Sequence, residues 1–169
     1  MGFFDRLTGT EHPDRATPPR SAQEVREALL ALNGPDVPFV VRGGDTEGAD
    51  FVAEWRISDP AWHTFFVRTQ VSRVTQFRMR LVPASHEVRV VDRQFEVSWV
   101  GGTPRLAVSA EASRGQVKTV SWRRSVERSP EGGLQAEEVY RFDTSDLKDP
   151  LRTAVLGAGW TWRGALFKL

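Results

Sequence analysis

Hydrophobic and polar residues alternate over a series of short runs through most of the chain. Such alternation is typical of strands that bury one face, and glycine or proline turns separate the runs. The apolar runs are Val37–Val41, Ala49–Ile57, Val74–Leu81, Val88–Val90, Phe95–Trp99, Leu106–Ala110, Val120–Trp122, a run ending near Phe142, and Trp160–Leu169. Because tight turns favour antiparallel pairing, the pattern predicts a large, strongly twisted antiparallel sheet of about nine strands. It leaves open whether the sheet closes partly into a barrel.

Three segments instead carry apolar residues at helical spacing. Ser21 and Glu24 form a capping box, in which each side chain satisfies a free backbone N–H group of the first turn, so a helix is predicted over residues 21–32. Asp59 followed by Pro60 predicts a second, short helix, although the aromatic residues after it also suit a strand. The stripe of the third helix consists of Leu147, Leu151, Ala154 and Val155.

The order of these elements predicts an α+β fold. Strands and helices do not alternate in the regular way that a parallel sheet requires. The length of 169 residues suits one domain with a sizeable core. Proline-rich and polar sequence before the first helix is typical of a linker. We therefore predict an N-terminal appendage and linker over residues 1–19 and a single α+β domain over residues 20–169, in which about three or four helices pack on the sheet.

Composition excludes several function classes. The chain has no cysteine, which removes disulfides, thiolate metal sites and a cysteine nucleophile. A secretory signal and a long apolar segment are both missing from the sequence, so we expect a cytoplasmic protein and no integral membrane segment. The net charge of +1 gives no general attraction for polyanions, which disfavours nucleic acid as a partner. The cations are nearly all arginine, as a GC-rich bacterial genome would produce.

Motifs that would specify a reaction are missing from the sequence. The three histidines, His12, His63 and His86, lack the spacing of a metal site, and neither a serine-nucleophile elbow nor a nucleotide-binding glycine loop is present. No cofactor is therefore expected. An alternative remains in which His63 and the nearby acids Glu54 and Asp59 form a hydrolase-like acid–base site in the fold.

Aromatic residues give the strongest positive signal. Six tryptophans stand in the chain, and Trp160 and Trp162 share one face just after a glycine-rich helix end. Trp160, Trp162 and the adjoining Arg163 are accordingly predicted as a ligand-binding site. The competing interpretation is that the tryptophans form an unusually aromatic core.

Two further surfaces offer other roles. Phe3, Phe4 and Leu7 would share one face of a helical turn and could anchor the protein to a membrane, or dock on its own domain or a second subunit. Arginines at 78 and 80, together with the cations of the segment 118–128, could form one basic face beside Trp122.

The sequence as a whole favours a non-enzymatic binding or interaction protein that uses an aromatic-lined groove or a sheet edge. Its partner would be a protein or a small apolar or aromatic ligand, and a homo-oligomer is left open. The alternatives are the hydrolase-like enzyme with His63 and a peripheral membrane protein anchored by Phe3, Phe4 and Leu7.

Overall fold

The computed structural model describes residues 3–69, 71–108, 120–128, 134–166 and 169, with side chains described for residues 5–69, 71–108, 144–166 and 169. The fold is α+β, as predicted. Its helices are α1 (Phe3–Thr8), α2 (Ala22–Leu30), α3 (His63–Thr69) and α4 (Thr144–Gly157). Its strands are β1 (Phe39–Gly43), β2 (Phe51–Trp55), β3 (Arg73–Val82), β4 (Glu87–Val100), β5 (Thr103–Val108), β6 (Val120–Arg128), β7 (Leu134–Asp143) and β8 (Thr161–Ala165).

Six strands form the main sheet in the order β1-β2-β3-β4-β5, and β8 pairs with β4 off this path. All neighbours along the path are antiparallel, whereas β8 runs parallel to β4. Strands β6 and β7 form a separate two-stranded sheet. The prediction of about nine strands in one sheet is therefore wrong. A barrel is not formed by the described strands either, because β1 and β5 stand at opposite ends of the pairing order.

The prediction counts one strand too many, because the apolar residues of β4 change from one face of the sheet to the other within the strand. The runs Val88–Val90 and Phe95–Trp99 are the two ends of this single strand, which pairs with β3 without a register shift. Their apolar positions differ in phase by one residue, so Val90 and Val97 point to opposite faces of the sheet. The sequence shows this change as a break, but the backbone continues through it.

The core lies between one face of the sheet and helices α2 and α4. Val25 and Leu29 of α2 and Leu151 of α4 are fully buried against the sheet residues Ala53 and Phe77. The predicted capping box is confirmed, because the Ser21 hydroxyl accepts from the Glu24 backbone N–H group and the Glu24 carboxylate accepts from that of Ser21. We call the opposite side of the sheet the arginine face; it carries Arg42, Arg78, Arg80, Arg89, Arg93 and Arg163.

The segment before α2 lies along the end of the sheet. Glu11 and Trp162 exchange backbone hydrogen bonds of 2.8 and 2.9 Å, and the N–H group of Arg20 donates to the carbonyl of Ala158. Gly159 has a φ of +73°, and a Cβ atom there would lie 2.5 Å from the carbonyl oxygen of Pro18. The close approach of these two segments therefore requires glycine. The division into an appendage and a domain at residue 20 stays a prediction.

Candidate functional site

A deep concavity lies where strands β2 and β3 separate. These strands pair only over Phe51–Ala53 and Phe77–Met79, near one end of β2. Beyond that point the end of β2 and the start of β3 form the walls of a groove with a volume of about 730 Å³. This volume falls within the range of roughly 300–1,000 Å³ that is typical of small-ligand sites. We call it the strand groove.

Apolar side chains from five strands and the loop after α2 line much of the strand groove. The ring of Phe39 meets that of Trp55 edge to face, with centroids 6.4 Å apart. Val74 and Phe95 continue this surface across β3 and β4. Leu106 of the edge strand β5 is 45% exposed and completes the apolar lining. Rings that hold each other in this way give a ligand a preformed surface.

A hydrogen bond spans the gap between the separated strands. The Gln76 side chain of β3 is buried and donates from Nε2 to Oε2 of Glu54 on β2 at 2.7 Å. Its Oε1 accepts from Nε of Arg78 at 3.0 Å. Gln76 therefore replaces, with its side chain, the backbone pairing that the two strands do not make here.

The Glu54 carboxylate is also neutralised by an arginine. Arg42 of β1 donates from Nε to Glu54 at 2.8 Å and from a terminal nitrogen to Glu47 at 2.7 Å. Hydrogen bonds from Arg42 and then Thr46 lower the pKa of Glu47 to about 2. The same two carboxylates raise the pKa of Arg42. Glu47 and Arg42 therefore stay ionised and paired throughout the physiological pH range.

A second ion pair lies at the other end of the groove lining. Arg56 and Asp59 approach to 2.6 Å, and the Arg56 guanidinium also lies 5.8 Å from the Trp62 ring centroid. The backbone N–H of Ala61, followed by Arg56, lowers the pKa of Asp59. Each charged side chain of the lining (Glu54, Arg56 and Asp59) thus has an opposite charge beside it.

The predicted ligand residues lie elsewhere. Trp160 and Trp162 are buried in the core, and the Nε1–H group of Trp160 donates to the carbonyl of Arg20 at 2.8 Å. Arg163 lies on the arginine face, where its Nε contacts Glu87 at 3.1 Å. Both rings are buried, as the interpretation of an aromatic core expects. A ligand site at Trp160, Trp162 and Arg163 stays a prediction.

Sequence reasoning missed the residues that do line a groove, above all Phe39, Trp55 and Gln76. Trp55 stands on the apolar side of the alternating run 49–57, and this pattern is also that of a core residue. Gln76 stands at an ordinary polar position of an alternating run, and only the structure shows that it is buried. Such a residue requires partners, and its position therefore marks a place where regular packing is interrupted.

The residues of the hydrolase-like alternative have other hydrogen-bond and ion-pair partners in the structure, and an enzymatic role for them stays a prediction. His63 is exposed and makes a 2.9 Å hydrogen bond to the carbonyl oxygen of Gly102. Glu54 and Asp59 are instead held by Arg42 and Arg56. Within the described part of the chain, no group of three or more potential metal ligands is found.

The two other surfaces named from the sequence are only partly visible. Leu7 of α1 is 52% exposed, whereas the side chains of Phe3 and Phe4 lie outside those described. The cations of the segment 118–128 and Trp122 also lie outside the described side chains. No described helix is both long and apolar enough to cross a bilayer.

Comparison with protein-family models, with curated proteins and with solved structures gave no match. The chemistry of the strand groove therefore carries the functional argument by itself.

Proposed function

We propose that the protein binds a small apolar or aromatic ligand in the strand groove. The observation that carries this proposal is the gap between β2 and β3, where Phe39, Trp55, Val74 and Phe95 line a cavity of about 730 Å³. Burying apolar ligand surface against such walls is favourable by roughly 25 cal/mol per Å².

The electrostatics of the lining agree with a ligand held mainly by apolar contact. Glu54 is paired with Arg42, and Asp59 is paired with Arg56, so no carboxylate in the lining is left to seek a cation or a metal. The Nε2 group of Gln76 already donates its hydrogen bond to Glu54. Specificity would then come from the shape of the gap and from the aromatic walls.

Binding of the neutral fluorescent probe N-phenylnaphthylamine tests the proposal. We expect saturable binding to the unmodified protein and an affinity at least about tenfold weaker for Leu106→Asp, because this change places an unpaired charge in the apolar lining. Val108→Asp is the matched control, since Val108 lies on the same face of β5, is 60% exposed and is outside the groove.

Two results would contradict the proposal. One is the absence of saturable probe binding to the unmodified, folded protein. The other is an equal loss of affinity in Leu106→Asp and Val108→Asp, which would place the probe on the general surface of β5. Circular dichroism of both variants establishes that each retains the fold.

A further inference from the structure

Two arginines adjoin the strand groove on the arginine face. Arg93 of β4 stands directly opposite Gln76 of β3 in the sheet register. Arg78 lies two residues beyond Gln76 on β3 and therefore projects from the same face. Phe95, which lines the groove, has the same relation to Arg93 on β4. The lining is thus continuous with this pair of cations.

The Gln76 side chain orients one of the two cations. Its Oε1 accepts from Nε of Arg78, while its Nε2 donates to Glu54. This arrangement occupies the inner nitrogen of Arg78 and leaves its two terminal nitrogens available as donors. A guanidinium with both terminal nitrogens available can bind a carboxylate or a phosphate through two parallel hydrogen bonds.

Among the described residues, no carboxylate lies within ion-pairing distance of Arg78 or Arg93. Of the other arginines on this face, Arg42 pairs with Glu54, and Arg89 and Arg163 both contact Glu87. Arg80 donates to backbone oxygens of Gly48 and Leu169. Burial, followed by repulsion from Arg93, lowers the pKa of Arg78. Arg78 and Arg93 therefore place two positive charges, neither of them in a direct ion pair with a described residue, beside an apolar groove.

We infer that the ligand of the strand groove is an amphipathic anion, with its apolar body between β2 and β3 and its carboxylate, sulfate or phosphate head on Arg78 and Arg93. This inference rests on the proposed function and adds the class of ligand. The anionic head group supplies the negative charge with which the two arginines form no ion pair inside the protein.

Dodecanoate and dodecanol, which share a chain length and differ in the head group, provide the test. Each is titrated as a monomer against N-phenylnaphthylamine bound to the protein. We expect dodecanoate to displace the probe at a concentration at least about tenfold lower than dodecanol, and the difference to shrink as salt is raised. Arg78→Gln and Arg93→Gln should each reduce this difference, because they weaken the binding of dodecanoate more than that of dodecanol.

Arg89→Gln is the matched control, because it removes the same charge from the same face of β4, four residues from Arg93. A loss of the dodecanoate preference in Arg89→Gln equal to that in Arg93→Gln would overturn the inference in favour of a general charge effect. Equal binding of dodecanoate and dodecanol would also overturn it and leave the proposed function standing.

Failure of the probe and of both compounds to bind would reject the proposed function and this inference together. Association with phosphatidylglycerol vesicles without binding of monomeric dodecanoate would likewise overturn the inference, because the arginines would then contact a membrane surface rather than a ligand head group.

Discussion

The two tryptophan-bearing ends of the sheet differ in what covers them. Trp162 of β8 lies where β8 pairs with β4 through five consecutive residues and the helices cover the sheet, and its ring is fully buried. Trp55 of β2 lies where pairing with β3 has stopped, and its ring lines the strand groove. Both residues occupy the apolar side of a strand. Continuous pairing and helix cover bury Trp162 completely, whereas Trp55, although it also belongs to the core, forms part of the groove wall where the pairing stops.

The largest expected effect of a substitution is at the covered end. Trp162→Ala should lower the free energy of unfolding by about 3–5 kcal/mol, because it leaves a large cavity in a packed core. Leu106→Ala, in the groove lining, should cost less than about 1 kcal/mol, since this residue is already half exposed. Urea unfolding followed by circular dichroism measures both changes.

Trp162→Phe separates the packing of the ring from its polar atom. The Nε1–H group of Trp162 is buried and has no hydrogen-bond partner. Phenylalanine keeps much of the buried area and removes this unpaired donor, so a loss well below that of Trp162→Ala is expected. A cost for Trp162→Ala no greater than that for Leu106→Ala would mean that the contrast between core and groove is wrong.

Local sequence signals predicted local structure well. Ser21 and Glu24 are three residues apart, and their reciprocal hydrogen bonds need nothing beyond the first turn of α2. The apolar runs Val37–Val41 and Ala49–Ile57 flank a segment with glycine at 43, 44 and 48, which predicts a hairpin, and β1 and β2 do pair as antiparallel neighbours.

The strand groove was beyond the reach of such signals. It exists because β2 leaves β3 after Ala53, and this separation depends on residues that are far apart in sequence. The phase change near Asp92 was visible, but alternation alone does not distinguish a strand that changes its buried face from two strands. The parallel pairing of β8 with β4 is also a long-range contact, and no pattern within β8 predicts it.

Asp92 marks the point on β4 where the helix-covered side becomes polar. Both of its carboxylate oxygens are buried and have no hydrogen-bond partner. Burial raises the pKa of Asp92 from 3.8 to about 6, and the positive charge of Lys148 on α4 opposes this shift only in part. Burial is also the main reason that the pKa of Lys148 is lowered.

This raised pKa predicts a specific pH dependence of stability. The folded state holds the proton of Asp92 more tightly than the unfolded chain, so its favourable contribution is complete below about pH 4 and is lost as pH rises through about 6. Asp92→Asn, which cannot ionise, should therefore gain about 1–3 kcal/mol relative to the unmodified protein between these two pH values.

Urea unfolding of both proteins across this pH range measures the gain. Asp146→Asn is a suitable control because Asp146 is an exposed residue of α4. If the stability difference between Asp92→Asn and the unmodified protein does not change with pH, then folding does not raise the pKa of Asp92 and the prediction is wrong.

The smallest expected effect on stability concerns the hydrogen bond from Gln76 to Glu54, which spans the strand groove. Gln76→Ala removes the amide-to-carboxylate bond between β3 and β2 and should cost about 1 kcal/mol, because Glu54 keeps Arg42 as its partner. Gln23→Ala removes a bond of the same type between exposed residues of α2 and should change stability by less than about 0.5 kcal/mol. If Gln76→Ala and Gln23→Ala lower the free energy of unfolding equally, the hydrogen bond from Gln76 to Glu54 adds nothing to the stability of the separated strands. A larger cost for Gln76→Ala, together with altered binding of N-phenylnaphthylamine, would instead show that a side chain holds β2 and β3 at the spacing that the groove requires.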